Sequence, residues 1–159
     1  MTKVDGTSDV LDSASEVLNN LVSHMDVDVV VNLKEADNQE TGGPVFEIEG
    51  DDSGLIIGRK GETLRSLQFL TRFIVGRQTG ERANLTVDVE GYDERRKQSL
   101  SNLANRVAER VVKTGRSIEL EPMSARERRL VHVALSENSD VYTESSGDGR
   151  DRRVVVIPS

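Results

Sequence analysis

The apolar positions near the N-terminus follow two different periods. Between Ser8 and Met25 they recur every three or four residues, which predicts an amphipathic helix. From residue 26 to residue 36 apolar and polar residues alternate, which predicts a strand with one buried face. That buried face is expected to contain Val27, Val29, Val31 and Leu33.

Alternation predicts two further strands in the first half of the chain, over residues 44–50 and 82–90. Between them, a glycine-containing loop precedes a stretch with helical spacing that includes Leu64 and Leu67. Gly76 is expected to end this helix, because glycine readily adopts the left-handed conformation that often follows a helix. The predicted order is helix, strand, strand, glycine loop, helix and strand.

The second half contains the most regular helical pattern of the chain, over residues 92–116. Thr114 and Gly115 are expected to end this helix. A second helix is predicted to follow Ser124, which forms the spacing of a capping box with Glu127. The remaining predicted elements are strands over residues 117–120, 141–146 and 152–159.

These patterns predict an α+β fold made of two small tandem domains. The two halves meet near Glu90 and Gly91, and no flexible linker separates them. We predict an N-terminal tail over residues 1–7, a first domain over 8–91 and a second domain over 92–159.

Composition favours a soluble globular protein. The 159 residues are 35% hydrophobic and 31% charged, and no apolar run approaches the length of a membrane span. The N-terminus lacks the basic and apolar segments of a secretory signal, so the expected location is the cytoplasm. The absence of cysteine excludes disulfides and thiolate metal sites.

The net charge of -7 is confined to the first quarter of the chain. Residues 1–43 hold two lysines and nine acidic residues, whereas residues 44–159 hold 19 basic and 19 acidic residues. Net charge governs solubility and steering rather than fold. The acidic total therefore does not exclude a nucleic-acid site in the balanced remainder.

The sequence GLIIGRKG, residues 54–61, places two adjacent cations among glycines. It is not a P-loop, because Arg59 stands five residues after Gly54 where that motif needs glycine. It is not a dinucleotide-binding fingerprint either, because residue 57 is isoleucine. The remaining pattern is Gly-x-x-Gly at the start of a helix, which alone favours a plain turn between two elements.

The context of this loop supports a phosphate-binding interpretation. Gly58 and Gly61 allow a backbone to approach closely, and amides at the start of the next helix favour an anion. Arg59 and Lys60 can meet phosphates. The preceding aliphatic residues are expected to form the floor of a groove for bases; these are Ile56 and Ile57.

In this order of elements, IIGRKGETL resembles the KH domain, whose GXXG loop clamps about four nucleotides of a single strand. The helix and strand ahead of the core resemble the bacterial type II arrangement, which implies a three-stranded sheet with helices on one face. The resemblance covers residues 8 to 91. Arg65 and Arg72 share a face of the helix after the loop and either extend a phosphate track or form a solvated face.

Aromatic residues make up only 3% of the chain. RRM and OB-type surfaces depend on aromatic stacking, whereas the groove implied by the resemblance is mainly aliphatic. We therefore expect the aromatic residues to be too few and too scattered for a stacking platform; they are Phe46, Phe69, Phe73, Tyr92 and Tyr142.

A second signature lies in the helix SARERRLVHVAL, where Arg128 and His132 are four residues apart. Both flank the apolar stripe of the helix and should be partly exposed. Taken alone, the pair is an ordinary surface histidine near an arginine. With the long helix before it and the strand hairpin after it, the segment resembles the "R-three-H" domain, named for an Arg-x-x-x-His pair.

That resemblance implies a nucleic-acid contact at Arg128 and His132. Neutral histidine can hydrogen-bond to phosphate or base, and arginine can pair bidentately with phosphate. Four neighbouring arginines either supplement this contact or form a solvated face; they are Arg126, Arg129, Arg152 and Arg153.

The two domains in tandem strongly resemble the bacterial Jag family, also called SpoIIIJ-associated or KhpB. The resemblance implies a cytoplasmic RNA-binding protein, an RNA chaperone or post-transcriptional regulator linked to cell shape and elongation and to peptidoglycan homeostasis. It also implies a small KH-only partner, KhpA. Many members carry an extra N-terminal domain and a charged linker, and about seven residues precede the first helix here, which puts roles of that domain in doubt.

The chain is therefore expected to bind single-stranded RNA, with single-stranded DNA as an alternative, and to need no cofactor or metal. One competing hypothesis is a protein-interaction scaffold that has lost RNA binding. The other is a magnesium-dependent nuclease using Asp51 and Asp52 or Asp93 and Glu94, but helix caps explain these carboxylates better. His24 is expected to stabilise the end of the first helix.

Overall fold

A computed structural model describes residues 6–159, which fall into two compact units. The first unit ends at Asp93 and the second begins at Glu94, close to the predicted junction of the domains. The tail was predicted over residues 1–7, and its first five residues lie outside the described part of the chain. The first helix already begins at Gly6, two residues before its predicted start.

The first unit contains three helices and three strands among its described residues. Its sheet has the order β1-β2-β3, with β1 antiparallel and β3 parallel to the central strand. A parallel pair needs a crossover connection, and here α2 and α3 provide it. The elements are α1 (Gly6–Ser23), β1 (Val30–Asn38), β2 (Gly43–Glu49), α2 (Ser53–Ile57), α3 (Glu62–Thr79) and β3 (Thr86–Val89).

One hydrophobic core joins all of these elements. Leu18 of α1, Phe46 and Ile48 of β2, and Val75 of α3 are at most 1% exposed. Val27, Val29 and Val31 pack against this core as predicted. Leu33 does not: it lies opposite Phe46 in the register but is 48% exposed.

The helices around the glycine loop differ from the prediction in two respects. Gly76 lies inside α3, which continues to Thr79 and ends at Gly80 in the left-handed conformation (φ 73°), whose N–H donates to the Gly76 carbonyl. The aliphatic residues before the loop form the short helix α2, which is too short to show a periodic pattern in the sequence.

The second unit is built around a small antiparallel sheet of order β4-β6-β5. The predicted hairpin of the two last strands is confirmed. Gly115 ends the long helix as predicted, since its φ is 65° and its N–H donates to the Val111 carbonyl. The elements are α4 (Tyr92–Thr114), β4 (Ile118–Glu119), α5 (Ala125–Leu135), β5 (Val141–Ser146) and β6 (Arg153–Pro158).

Both helices of this unit pack on one core. Ala104 and Val111 of α4, Val131 of α5, and Val154 and Val156 of β6 are fully buried. The architecture agrees with the predicted α+β class. None of the helices within residues 6–159 has the combination of length and apolar composition that crossing a bilayer requires.

Candidate nucleic-acid interface

The loop between α2 and α3 turns through three residues with positive φ. Gly58 has φ 68° and ψ -173°, Lys60 has φ 52° and Gly61 has φ 76°. Glycine adopts such angles without steric cost, whereas a left-handed residue with a side chain costs about 1–2 kcal/mol. The two glycines of the motif are thus required by the path of the backbone.

Both glycines are also crowded by side chains. A Cβ atom on Gly58 would lie 2.1 Å from Thr63 Oγ1, and one on Gly61 would lie 2.7 Å from the ring of Tyr92. Gly54, in α2, has a helical backbone and no atom within 4 Å of such a Cβ. The loop therefore packs tightly on α3 and Tyr92, while Gly54 faces open space.

The cations of the motif lie on this constrained turn. Arg59 is exposed and Lys60 is half-buried. Arg65 of α3 reaches back to the loop, where its Nη1 donates to the Lys60 carbonyl at 2.9 Å. Three cationic side chains are consequently held around one turn at the N-terminal end of an 18-residue helix, where backbone amides already favour an anion.

The apolar residues before the loop divide between the core and the surface. Ile56 is completely buried, which corrects the expectation that it lines an exposed groove. Ile57 is half-buried, and its neighbour Leu55 is 64% exposed. The apolar surface beside the loop thus consists of Leu55 and Ile57, because the short helix turns Ile56 inward to anchor the turn.

Arg72 lies on the same face of α3 as Arg65 but has a different partner. Its Nε donates to the Leu85 carbonyl, just before β3, at 2.7 Å. Partial burial and the charge of Arg82 lower the pKa of Arg72 from its ordinary value. The guanidinium is therefore fixed at the middle of α3, close to a second cation.

Two of the five aromatic side chains lie together on this surface. Phe69 and Phe73 are 67% and 58% exposed, and their rings are nearly parallel, with centroids 6.3 Å apart and an angle of 16° between planes. The expectation that the aromatic residues are all scattered is therefore wrong for this pair. The spacing of four residues on a predicted helix was the signal for their proximity.

In the second unit, the signature histidine connects α5 to β5. His132 Nδ1 lies 2.6 Å from Thr143 Oγ1, and its Nε2 lies 3.0 Å from Ser145 Oγ. Sequence reasoning missed both hydroxyls, although alternation along the predicted strand places them on the side of the buried Val141. Both ring nitrogens are thus engaged within the protein.

Arg128, the other signature residue, is half-buried and donates from Nη1 to the Met123 carbonyl at 2.9 Å. Burial, and then the nearby positive charge of Arg128, lower the pKa of His132 below its ordinary value. The histidine is consequently neutral at neutral pH, with one donor and one acceptor nitrogen for its two hydroxyl partners. The pair is partly exposed, as predicted.

A buried carboxylate fixes the start of α5. Glu127 is 5% exposed, and its Oε2 accepts hydrogen bonds from the backbone and the hydroxyl of Ser124, which confirms the predicted capping box. Its Oε1 accepts from Arg96 Nε of α4 at 2.8 Å. Burial alone would raise the pKa of Glu127, but the bonds from Arg96 and Ser124 outweigh it and lower the pKa.

The four supplementary arginines are distributed over different surfaces. Arg126 and Arg129 are exposed on α5, where helical geometry places Arg126 about 200° around the axis from Arg128. Arg152 Nη1 donates to the Gly147 carbonyl, and Arg153 pairs with Glu119 of β4 at 3.4 Å. Arg126 thus lies on the far side of the helix from Arg128.

Two of the remaining candidates have structural partners. Asp52 precedes α2 but makes no capping hydrogen bond to it, which corrects the expected role as a cap; its carboxylate accepts the backbone N–H of Asp28 at 2.8 Å. His24 Nδ1 lies 2.6 Å from the Asn20 carbonyl at the end of α1, as expected. Within residues 6–159, no three histidine, aspartate or glutamate side chains gather closely enough to hold a metal ion.

The backbone of the loop predicts different responses from two neighbouring glycines. Gly58→Ala should lower the free energy of unfolding by about 2 kcal/mol, because alanine is strained at positive φ and overlaps Thr63. Gly54→Ala should be neutral or stabilising by up to about 1 kcal/mol, since alanine favours a helix. Urea unfolding of both variants tests this; equal effects would contradict the tight turn.

The environment of His132 predicts a pH dependence of stability. In the unfolded chain His132 binds a proton near pH 6.5, whereas in the folded protein it does so only at a lower pH. The contribution of the neutral histidine to the free energy of unfolding is therefore complete above about pH 6.5. It should be lost as the pH falls from there to the folded pKa. The difference in unfolding free energy between the unaltered protein and His132→Gln should therefore shrink on acidification; an NMR titration midpoint at or above 6.5 would contradict this.

Comparison with family models places a known domain in each half of the chain. The model of the KhpA/KhpB KH domain matches residues 12–87, and that of the R-three-H domain matches residues 98–158. The first match contains the Gly-x-x-Gly turn, and the second contains α5 and the hairpin. Both matches lie within the predicted domain bounds.

Similar proteins include three that bear the name RNA-binding protein KhpB. That of Clostridium symbiosum is 37% identical over 91% of this chain and 64% of its own length. That of Bacillus subtilis is 42% identical over 70% of this chain and 54% of its own length. That of Streptococcus pneumoniae serotype 2 is 32% identical over 97% of this chain and 47% of its own length.

The chain therefore spans less than two thirds of the length of these relatives. With a KhpA/KhpB-type KH domain followed by an R-three-H domain, the chain belongs to the Jag (KhpB) family.

Proposed function

We propose that this protein binds single-stranded RNA, with the turn from Gly58 to Gly61 as a clamp for the backbone. The observation that carries the proposal is the grouping of Arg59, Lys60 and Arg65 around a glycine turn at the N-terminal end of α3. Amides, a helix dipole and cations converge there, which suits phosphate. The names of the relatives support RNA as the polymer.

In this mechanism, the phosphates of a few nucleotides lie against the turn, and Arg59 and Lys60 neutralise them. The bases lie on the apolar surface next to the turn, which Leu55 and Ile57 provide. The close packing of Gly58 on Thr63 holds the turn in shape before RNA arrives. The protein thus loses little conformational entropy on binding.

The second unit contributes another contact through Arg128. Its guanidinium lies near the neutral His132. The ring of this histidine orients the hydroxyls of Thr143 and Ser145. The hydroxyl that accepts from the ring N–H can still donate to a phosphate or to a base edge, whereas the hydroxyl that donates to the other ring nitrogen can only accept. The histidine acts here by positioning these groups, and exposed Arg129 adds charge nearby.

The proposal for a cellular role is supported by family membership alone. We propose a cytoplasmic RNA chaperone or post-transcriptional regulator linked to cell shape and elongation, with a small KH-only protein of the KhpA type as a partner. The domain bounds 8–91 and 92–159 belong to the same proposal. Because the chain covers only part of its relatives, these roles are proposed for the shared region.

The clamp predicts a loss of affinity on charge reversal. Arg59→Asp with Lys60→Asp should weaken binding of an RNA of about four nucleotides at least about a hundredfold, since charge-assisted bonds contribute about 1.5–3 kcal/mol each. Aspartate tolerates the left-handed backbone of Lys60, so the fold should persist. Fluorescence anisotropy measures the affinity, which should also fall with salt.

The matched control changes the same charge elsewhere. Arg106→Asp with Lys113→Asp alters two exposed cations of α4, seven residues apart. This variant should bind the short RNA nearly as well as the unaltered protein. If the two double variants weaken binding equally, the effect comes from net charge and the clamp is wrong; if neither does, RNA binds elsewhere.

The second contact predicts a separate loss. Arg128→Ala with His132→Ala should reduce affinity for an RNA of about twelve nucleotides by about tenfold or more, because one charge-assisted contact is removed and the two hydroxyls lose the ring that orients them. Binding of the short RNA should not change. Arg106→Ala with Lys113→Ala is the control, and circular dichroism checks that α5 remains folded. Unchanged affinity for the longer RNA would contradict the second contact.

A further inference from the structure

An open cleft lies at the C-terminal half of α3, away from the glycine turn. Its volume is about 460 Å³, within the range of about 300–1,000 Å³ that is typical of ligand sites. The exposed, nearly parallel rings of Phe69 and Phe73 form one side of it. The segment after α3 forms the other side.

The charge of this cleft is opposite to that of the whole chain. Of its nine lining residues, three are arginines and one is acidic; the charged residues are Arg72, Arg77, Arg82 and Glu81. The chain as a whole carries -7. Arg72 is held in place by the Leu85 carbonyl, so its charge does not swing away from the rings. Grouped cations repel one another, and a bound anion relieves that repulsion.

Exposed aromatic rings beside fixed cations suit a polymer with flat bases and a charged backbone. Each base can stack on an aromatic face, and this contributes about 1–3 kcal/mol per base, while arginines contact phosphates. The core of a protein-protein interface is instead depleted of charge. Three arginines around two rings thus favour a nucleic acid over an apolar protein surface.

The cleft is also continuous with the proposed clamp. Arg65, Phe69, Arg72 and Gly76 follow one another at spacings of four, three and four residues, so they share one face of α3. From Arg65 beside the glycine turn to Gly76 in the cleft, this face extends about 16 Å. A single strand of RNA bound at the turn can follow this face without crossing the buried side of the helix.

We propose that the Phe69–Phe73 cleft is a second RNA subsite, in which bases downstream or upstream of the clamped nucleotides stack on the two rings. Arg72, Arg77 and Arg82 contact the phosphates of these nucleotides, and the Asn84 amide offers hydrogen bonds to a base edge. The proposal rests on RNA binding as the proposed function. It extends the site from about four nucleotides to a longer single strand.

The test separates stacking from apolar contact and uses the full chain with two uridine oligomers. Phe69→Leu with Phe73→Leu keeps an apolar surface and removes both rings. Affinity for an oligomer of about twelve nucleotides should fall about tenfold or more, whereas affinity for one of about four should stay the same. Leu70→Ala, which alters an exposed residue outside the cleft, should bind both oligomers normally.

An unchanged affinity of the leucine variant for the longer oligomer would overturn the subsite. If the sedimentation coefficient of that variant also changed, the rings would be assigned to contact with another protein chain. A loss confined to the longer oligomer supports the proposal.

A mapping experiment on the unaltered protein avoids any effect of substitution on folding. Ultraviolet crosslinking of the longer oligomer, followed by peptide identification, should mark residues 69–84 as well as the glycine turn. Crosslinks at the turn without any in 69–84 would overturn the subsite and leave the clamp intact. Retained binding of the short oligomer by Arg59→Asp with Lys60→Asp would overturn the clamp instead, so the two failures are distinguishable.

Discussion

The first unit depends on one steric constraint, the reversal of the chain between α2 and α3. Ile56 before the turn and Leu64 after it are buried in the same core, so only a few residues are available to turn the backbone around. Positive φ at Gly58 and Gly61 makes this possible. Arg59 and Lys60 lie between the two anchors and are therefore forced toward the surface.

This constraint changes the explanation of the motif. Glycine in a phosphate-binding loop is usually attributed to the approach of the ligand. Here the crowding by Thr63 and Tyr92 already excludes a larger side chain at Gly58 and Gly61. The turn is thus shaped by the protein itself, and a ligand meets a surface that the core has already formed.

In the second unit, an ion pair and hydrogen bonds hold the surface in shape before a ligand binds. Glu127 is buried and forms bonds with Ser124 and Arg96, which tie the start of α5 to α4. Leaving such a carboxylate unpaired would cost about 3–5 kcal/mol, so the network defines the position of the helix. His132 then joins the same helix to β5. The signature pair is accordingly part of the structure as well as of the proposed site.

Much of the fold follows from local periodicity. The long helix over 92–114 and the capping box were predictable because each depends on nearby residues. Burial of Ile56 and exposure of Leu33 were not, since they depend on how a five-residue helix and an edge strand meet distant elements. Arg96 and Glu127 are 31 residues apart, and no sequence pattern joins them.

In the candidate site, too, the features that depend on nearby residues were predictable and those that depend on distant residues were not. The cations of the turn were identified from their order, because a turn is local. Thr143 and Ser145 required knowledge of which strand lies against α5. Phe69 and Phe73 are an intermediate case: their spacing was visible, but their exposure depends on which side of α3 the core covers.

The uneven distribution of charge explains how these basic surfaces occur on a chain that is acidic overall. The excess of acidic residues lies in residues 1–43, whereas the cations of the turn and of the cleft belong to α3 and its flanks. Exposed charges farther apart than about 8–10 Å are largely screened in physiological salt. Long-range attraction would therefore contribute little to the proposed binding of RNA. Affinity must arise from short-range contacts, and that requirement favours rigid turns, anchored arginines and stacking rings over a diffuse basic surface.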